Sequence, residues 1–354
     1  MKKSILPLSI LFLFSFLFSC NETRYRDAES FSLSDIQERI QLTGEIIDCD
    51  EIIMPRYLFL KDSLLFTINM RQVFHVSVFH LRDMKRIGDF IEFGNGPNEA
   101  LIVDNLQFQD SIVWAIDLNR RQINSYHLNQ FFEEKEIKPR EILKTGESFQ
   151  KILVARDKLI ANSLLHIQSR LSFYDLQGNF IANHGELPDA GIEMTDMELY
   201  ESYFCNMALN PVDESIFVTY MGTDLIEIYD ANGNLKTRKH GPDRFFPYKR
   251  ERTITDGDEE MIQVGFVAGK SREAYFCPVA FEDEIWTLYN GKYMDPNIVN
   301  GFMCNHIIVF DWDGNPLRHY TTDIAFYGLA IDRINKVIYG VTINPEFTFV
   351  KFKY

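Results

Sequence analysis

The chain is short of positive charge: 354 residues carry 36 Lys plus Arg against 51 Asp plus Glu, a formal net charge of -15. A surface of that sign repels phosphate backbones, so nucleic acid is not an expected partner. Cysteine is scarce as well. Beyond Cys20 there are Cys49, Cys205, Cys277 and Cys304, and none forms a CxxC pair. That spacing supports neither a zinc knuckle nor a thioredoxin-like motif. Buried free thiols are the simple reading, with a single long-range disulfide as the alternative, for which the sequence selects no partners. No G-x-S-x-G nucleophile elbow occurs. Residues 265–271 (GFVAGKS) fall one residue short of a phosphate-binding loop and run into a β-like segment instead of a helix. Asp311-Trp312-Asp313-Gly314-Asn315 has the oxygen spacing of part of a calcium loop, but its twelfth position is Thr322 where that loop needs Glu. No metal and no cofactor is expected.

Apolar runs long enough to cross a membrane, about 18 residues or more, are also missing. The stretch from Ile5 to Phe18 is shorter and is interrupted by Pro7, Ser9 and Ser15. With Lys2 and Lys3 before it and Ser19 after it, this is the pattern of a secretory signal. Leu17-Phe18-Ser19-Cys20 resembles the lipobox of bacterial lipoproteins, in which Cys20 is acylated and becomes the first mature residue. The reading is a signal peptide over 1–19, a lipidated linker over 20–39 and a single domain over 40–354. The lipid rather than the charge would then hold the protein at a membrane.

What the chain does have is apolar and aromatic side chains: 46% hydrophobic and 14% aromatic, led by 30 Phe and 16 Tyr. That composition builds a globular core and suits strands. A repeat organises it. Phe173-Tyr174-Asp175-Leu176-Gln177-Gly178-Asn179, Ile228-Tyr229-Asp230-Ala231-Asn232-Gly233-Asn234 and Val309-Phe310-Asp311-Trp312-Asp313-Gly314-Asn315 each read as a strand end, an Asp-containing Gly turn and a new strand. Weaker copies end at His80 and His127, which take the Asp position and read as turn residues. Two further short strands precede each hairpin, as in Tyr57 to Leu60 followed by Leu64 to Ile68. First strands start near 56, 103, 151, 204, 275 and 326. Six four-stranded antiparallel sheets set radially make an all-β, six-bladed β-propeller. From Ala325 only three strands remain, so the last blade needs a fourth from elsewhere, and the unassigned stretch from Ile40 to Ile53 is the expected donor.

Phe93-Gly94-Asn95-Gly96-Pro97-Asn98-Glu99 resembles the G-x-G-P-x-E segment that follows the first blade of TolB-like six-bladed propeller lipoproteins from Bacteroides-type bacteria, with Asn98 where Gly is frequent. Residues 331–340 (IDRINKVIYG) resemble the last blade of that family. The resemblance spans nearly the whole mature chain and implies a propeller fold and an exported, outer-membrane-anchored location. It transfers no catalytic residue.

Antiparallel order puts the Asp-Gly hairpins on one face. The other face carries the second-to-third loops and the connections between blades, and receives three long inserts: 185–203, 241–273 and 291–305. Long loops on a rigid scaffold are where binding resides. The first insert holds Thr195-Asp196-Met197-Glu198, a capping-box pattern that predicts a short helix. The second runs from Arg244 to Arg252 and on to Asp256, Asp258, Glu259 and Glu260, an amphipathic rim. His184 and His240 each precede a Gly where one blade passes to the next. The candidate ligand-binding rim is therefore His184, Tyr200, Tyr203, His240, Phe246, Tyr248, Arg250 and Arg252. Aromatic rings stack on sugars or side chains, and Arg holds carboxylates by paired hydrogen bonds.

The function expected from this is a cell-envelope binding or scaffold propeller that holds a peptide, glycan or envelope protein on its long-loop face. The alternative is a metal-dependent lactonase-like or lyase-like enzyme with its site at the central channel, for which Asn162, Asp224 and Asn290 are the candidate ligands.

Overall fold

The computed structural model describes residues 25–354, apart from 50, 51, 53, 71, 135, 136, 257, 258, 296–300, 344 and 345. The expected signal segment, Cys20 and Asp258 lie outside the described residues. The chain is an all-β propeller. Its first sheet runs from Pro55–Lys61 on the inside through Leu64–Asn69 and Phe74–His80 to Lys85–Glu92. The second begins at Asn105–Gln109, the third at Phe149–Val154 and the fourth at Cys205–Leu209, and in each the four strands follow one another antiparallel. The remaining strands form one continuous path. It leads from Tyr275–Ala280 through Ile285–Tyr289 and Cys304–Phe310 into the long strand Pro316–Asp332, then through Val337–Ile343 and Phe347–Lys353 to Gly44–Ile47. The early part of the long strand pairs with Cys304–Phe310 and its later part, from Tyr327, with Val337–Ile343.

The hairpin turns explain why the strands end where they do. In each of the three best repeats the Asp carboxylate accepts the backbone N–H of the Asn four residues on, at 2.8 Å, and the Asn side chain donates back to the other oxygen. Gly178, Gly233 and Gly314 take the positive φ that the turn needs, between 80° and 83°.

Among the described residues the buried apolar side chains fall into six clusters, five between one sheet and the next and one between the early and late parts of the eight-strand path. Leu64, Phe66 and Val78 of the first sheet meet Val113 and Tyr126 of the second, and so on round. The last cluster brings Ala330, Tyr339 and Phe349 back onto Leu58, Leu65 and Phe79 of the first sheet. Sheets two faces thick in apolar side chains have no other way to cover both faces than to pack in a ring.

The N-terminal stretch departs from expectation. Among the described residues of the stretch from Ile40 to Ile53, Gly44–Ile47 lies antiparallel beside Phe347–Lys353, while Glu38–Leu42, which overlaps its start, runs parallel to the long strand. The stretch read as a linker, 20–39, is from Tyr25 onward packed on the propeller: Glu29–Ser30 adds a parallel strand outside Leu235–His240, and Tyr25, Phe31 and Ile36 are buried. Three large apolar side chains in twelve residues gain more from docking than a free tether would.

Candidate functional site

The three inserts meet. The first contains the helix Asp196–Ser202, whose N-cap Thr195 accepts from the Glu198 N–H at 3.2 Å while Glu198 reaches back to the Thr195 N–H, the expected capping box. The second insert is a two-stranded hairpin, Lys249–Asp256 with Glu259–Phe266, that stands apart from the other sheets. The sequence reading describes this stretch as an amphipathic rim and assigns it no strands. The dipeptide Asp256-Gly257, a frequent hairpin turn, was the signal that would have found it. Contacts that join hairpin and helix include Lys249 Nζ donating to the Glu201 carbonyl at 2.5 Å and to its carboxylate at 3.3 Å, Thr195 Oγ1 donating to Glu251 at 2.5 Å, the Glu251 N–H donating to Glu198 at 3.2 Å, and Arg250 3.9 Å from Glu198. The third insert is tied on by Arg272, which donates to the Gly291 carbonyl, pairs with Asp243 and covers the rings of Phe245 and Tyr293.

The platform leaves a specific set of side chains in reach of solvent. Tyr248 is half-buried, with the Arg250 guanidinium 4.4 Å and the Lys270 ammonium 5.2 Å from its ring centre. Arg252 is exposed and held by two hydrogen bonds to Gln263. Met197, Met261, Ile262 and Tyr293 are exposed apolar neighbours on the same inserts.

Other residues of the expected rim lie deeper. Tyr203 and His240 are 2% and 3% exposed. Tyr203 packs edge-on against Tyr220, and burial pushes its hydroxyl up to about 12. His240 sits 3.2 Å from Asp224 and contacts the rings of Tyr25 and Phe246. Tyr200 is half-buried, and burial raises its hydroxyl too. These side chains support the platform. His184 stands apart: its ring lies on Phe173, and a Cβ at Gly233, in the Asp230 turn of the next sheet, would meet the His184 side chain at 2.6 Å. It therefore belongs with the short-turn side, because its strand, Phe180–Glu186, runs past that turn before reaching the loops.

A channel of about 570 Å³ opens at the centre, lined by the innermost strand of every unit from Pro55–Lys61 round to the long strand. Asn162, Asp224 and Asn290, the candidate metal ligands of the enzyme reading, do not line it. Asp224 is fully buried and accepts the N–H groups of Asp243, Arg244 and Phe245 at 2.6, 2.6 and 2.8 Å, so it pins the start of the second insert. Asn290 donates to Glu273 and to the Gly301 carbonyl. Asn162 is buried in the second strand of its sheet. Among the described residues no group of three or more His, Cys, Asp or Glu is placed to hold a metal ion. Cys205, Cys277 and Cys304 are free thiols, Cys205 and Cys304 buried.

The G-x-G-P-x-E segment has a structural task. Glu99 accepts the Gly96 N–H at 2.6 Å, and Arg120 of the second sheet donates to the Gly96 and Glu99 carbonyls, which fastens the crossing between the first two sheets. A Cβ at Gly94 would lie 2.0 Å from the Glu99 carboxylate, so a larger residue there would push that carboxylate away from the Gly96 N–H.

Ring, channel and elaborated loop face define a β-propeller of the kind that presents a site on one side of the ring. The chain belongs to the TolB-like 6-blade propeller-like family, whose model matches residues 35–333. Among solved structures it is similar to a member of the DUF4221 family from Bacteroides vulgatus, with a TM-score of 0.53 and 10% identity over 88% of this chain and 96% of that one. It is also similar to a protein of Bacteroides fragilis described as exported, with a TM-score of 0.50 and 10% identity over 89% of this chain and 98% of that one. Identity at this level carries the fold alone. No curated protein matches the chain. No helix among the described residues is long and apolar enough to cross a membrane.

Proposed function

We propose that the protein is a binding propeller of the cell envelope that holds a peptide, glycan or envelope-protein partner on its long-loop platform, without catalysis of its own. The observation that carries this reading is the joining of three separate inserts into one platform around Tyr248, Arg250, Lys270 and Arg252. Loops that serve only to connect sheets have no need of such length or of such mutual ties. An aromatic ring contacted by two cations, with exposed Met and Ile further along the same hairpin, has the composition of interaction hot spots. In a chain of net charge -15 it also offers the local positive field that draws a carboxylate-bearing partner.

The same reading has six blades of four strands, the eight-strand path counting as two blades with Gly44–Ile47 as the outermost strand of the last. Six apolar clusters and the family's own description support that count. Export through the segment over 1–19 and anchoring by lipid at Cys20 complete it, supported by the sequence pattern and by the export described for the Bacteroides fragilis neighbour.

The test is to immobilise the protein against envelope extract and a glycan array, then compare variants by calorimetry with the ligand recovered. Tyr248→Ala and Arg250→Ala are expected to weaken binding about thirtyfold, the effect of losing about 2 kcal/mol at a hot spot. Asn179→Ala and Asn234→Ala, on the opposite face, leave affinity unchanged. Weakening by the turn variants alone overturns the assignment of the face, and turnover of a lactone only with added metal overturns the binding reading itself.

A further inference from the structure

The edge of the central channel carries a second feature, independent of the platform: Tyr57 and Lys151 line the channel, while Arg56 and Phe204 lie outside its lining and flank it through their contacts with Tyr57 and Lys151. Where the innermost strands begin, on the long-loop side, Arg56 and Lys151 come together from the first and third sheets. The Arg56 guanidinium lies 4.9 Å and the Lys151 ammonium 5.9 Å from the Tyr57 ring centre, and Lys151 is also 5.7 Å from the ring of Phe204. Among the described residues neither cation forms an ion pair within 4 Å. The acid nearest in effect is Asp104. Burial raises its carboxyl, and the Leu118 N–H, at 3.0 Å, and the charges of Lys151 and Arg56 act against that rise. Asn206 lines the same part of the channel.

We propose that this mouth binds a small ring compound carrying a carboxylate, with Arg56 and Lys151 on the carboxylate, the ring against Tyr57 and Phe204, and Asn206 donating to a polar substituent. Three physical points lead there. Two cations against one acid leave the mouth with a surplus positive charge in an acidic protein. The channel, about 570 Å³, has the size of a small-molecule site, and six strands hold its wall fixed. Cations stacked on aromatic rings are held in place without a carboxylate partner, so their hydrogen-bonding capacity stays available to a ligand. The position also explains an oddity of the sequence: Lys151 is a charged residue in an inner strand, Phe149–Val154, whose other members are buried.

Benzoate and glucuronate are the probes, with benzamide and glucose as uncharged counterparts, each titrated into the purified protein and followed by ligand-observed NMR. At least one acid is expected to bind saturably in the millimolar range or tighter, and its uncharged counterpart not to. Arg56→Gln, at an exposed side chain, and Lys151→Met should each weaken that binding about tenfold, the equivalent of one lost charge-assisted hydrogen bond of about 1.4 kcal/mol. Binding also opposes Tyr248→Ala in its signature, because that variant leaves the channel untouched and should leave the acid's affinity unchanged. If neither acid binds at about 10 mM, or if binding is the same in Arg56→Gln as in the wild type, the assignment is overturned. The platform reading survives either result.

Discussion

Asp224 shows how a residue that looks functional by type is turned to support by its surroundings. Its two oxygens accept three consecutive backbone N–H groups, and the His240 ring lies 3.2 Å away, so no lone pair is left facing the channel. Buried N–H groups that lose their acceptor each cost about 1–3 kcal/mol. Asp224→Ala should therefore lower the unfolding free energy by on the order of 3–5 kcal/mol, and Asp224→Asn by less, since one carbonyl oxygen remains. Urea unfolding measures both. Added zinc or calcium leaves the wild-type midpoint where it was; a metal-dependent rise that Asp224→Ala abolishes would restore the metal-site reading. At this scale the sequence was partly readable. Carboxylate, amide and imidazole types were visible, but which of them faced a channel depended on partners 11 to 21 residues away in the chain, which no local pattern encodes.

Among the elements, the N-terminal strands do the work least evident from the sequence. Gly44–Ile47 covers the edge of Phe347–Lys353, with Gly44 donating to Asp323 at 2.8 Å and Thr348 donating to the Ile47 carbonyl. A Cβ on Gly44 would sit 2.7 Å from the Phe352 ring and 2.8 Å from Ile324, which makes this position sensitive to any larger residue. Gly44→Val should cost about 1–3 kcal/mol through overpacking, and removing residues 25–48 should expose the strand edge and drive self-association. Thermal melting and size-exclusion chromatography check these outcomes; a monomer with an unchanged melting temperature contradicts them.

The sheet strands were legible because the Asp-Gly-Asn turns recur at fixed phase: inner strands begin at 55, 105, 149, 205 and 275, beside the expected 56, 103, 151, 204 and 275. The parallel pairings of Glu29–Ser30 and Glu38–Leu42 were not, since strands of two and five residues carry too little alternation to distinguish them from a tether.

For the whole molecule, the propeller separates two faces by a simple rule of chain direction. Asp-Gly turns lie on one face, together with the longer connection between Gln122–His127 and Glu141–Lys144 that carries the short helix Gln130–Glu133, and the three inserts 185–203, 241–273 and 291–305 leave from the other. The rim of eight expected residues resolves accordingly into accessible Tyr248, Arg250 and Arg252, supporting Tyr200, Tyr203, His240 and Phe246, and His184 on the far side. Burial separates Tyr203 and His240 from exposed Arg252, while the half-buried Tyr200, Phe246, Tyr248 and Arg250 are sorted by what they touch, which follows from packing between inserts rather than from residue type. The most direct measurement of the central claim is site-specific photo-crosslinking in intact cells, with Tyr248→p-benzoylphenylalanine on the platform and Asn179→p-benzoylphenylalanine on the turn face. The account predicts a discrete partner adduct from position 248, lost when Arg250→Ala is added, and none from position 179. A discrete adduct from position 179 with none from position 248 would contradict it.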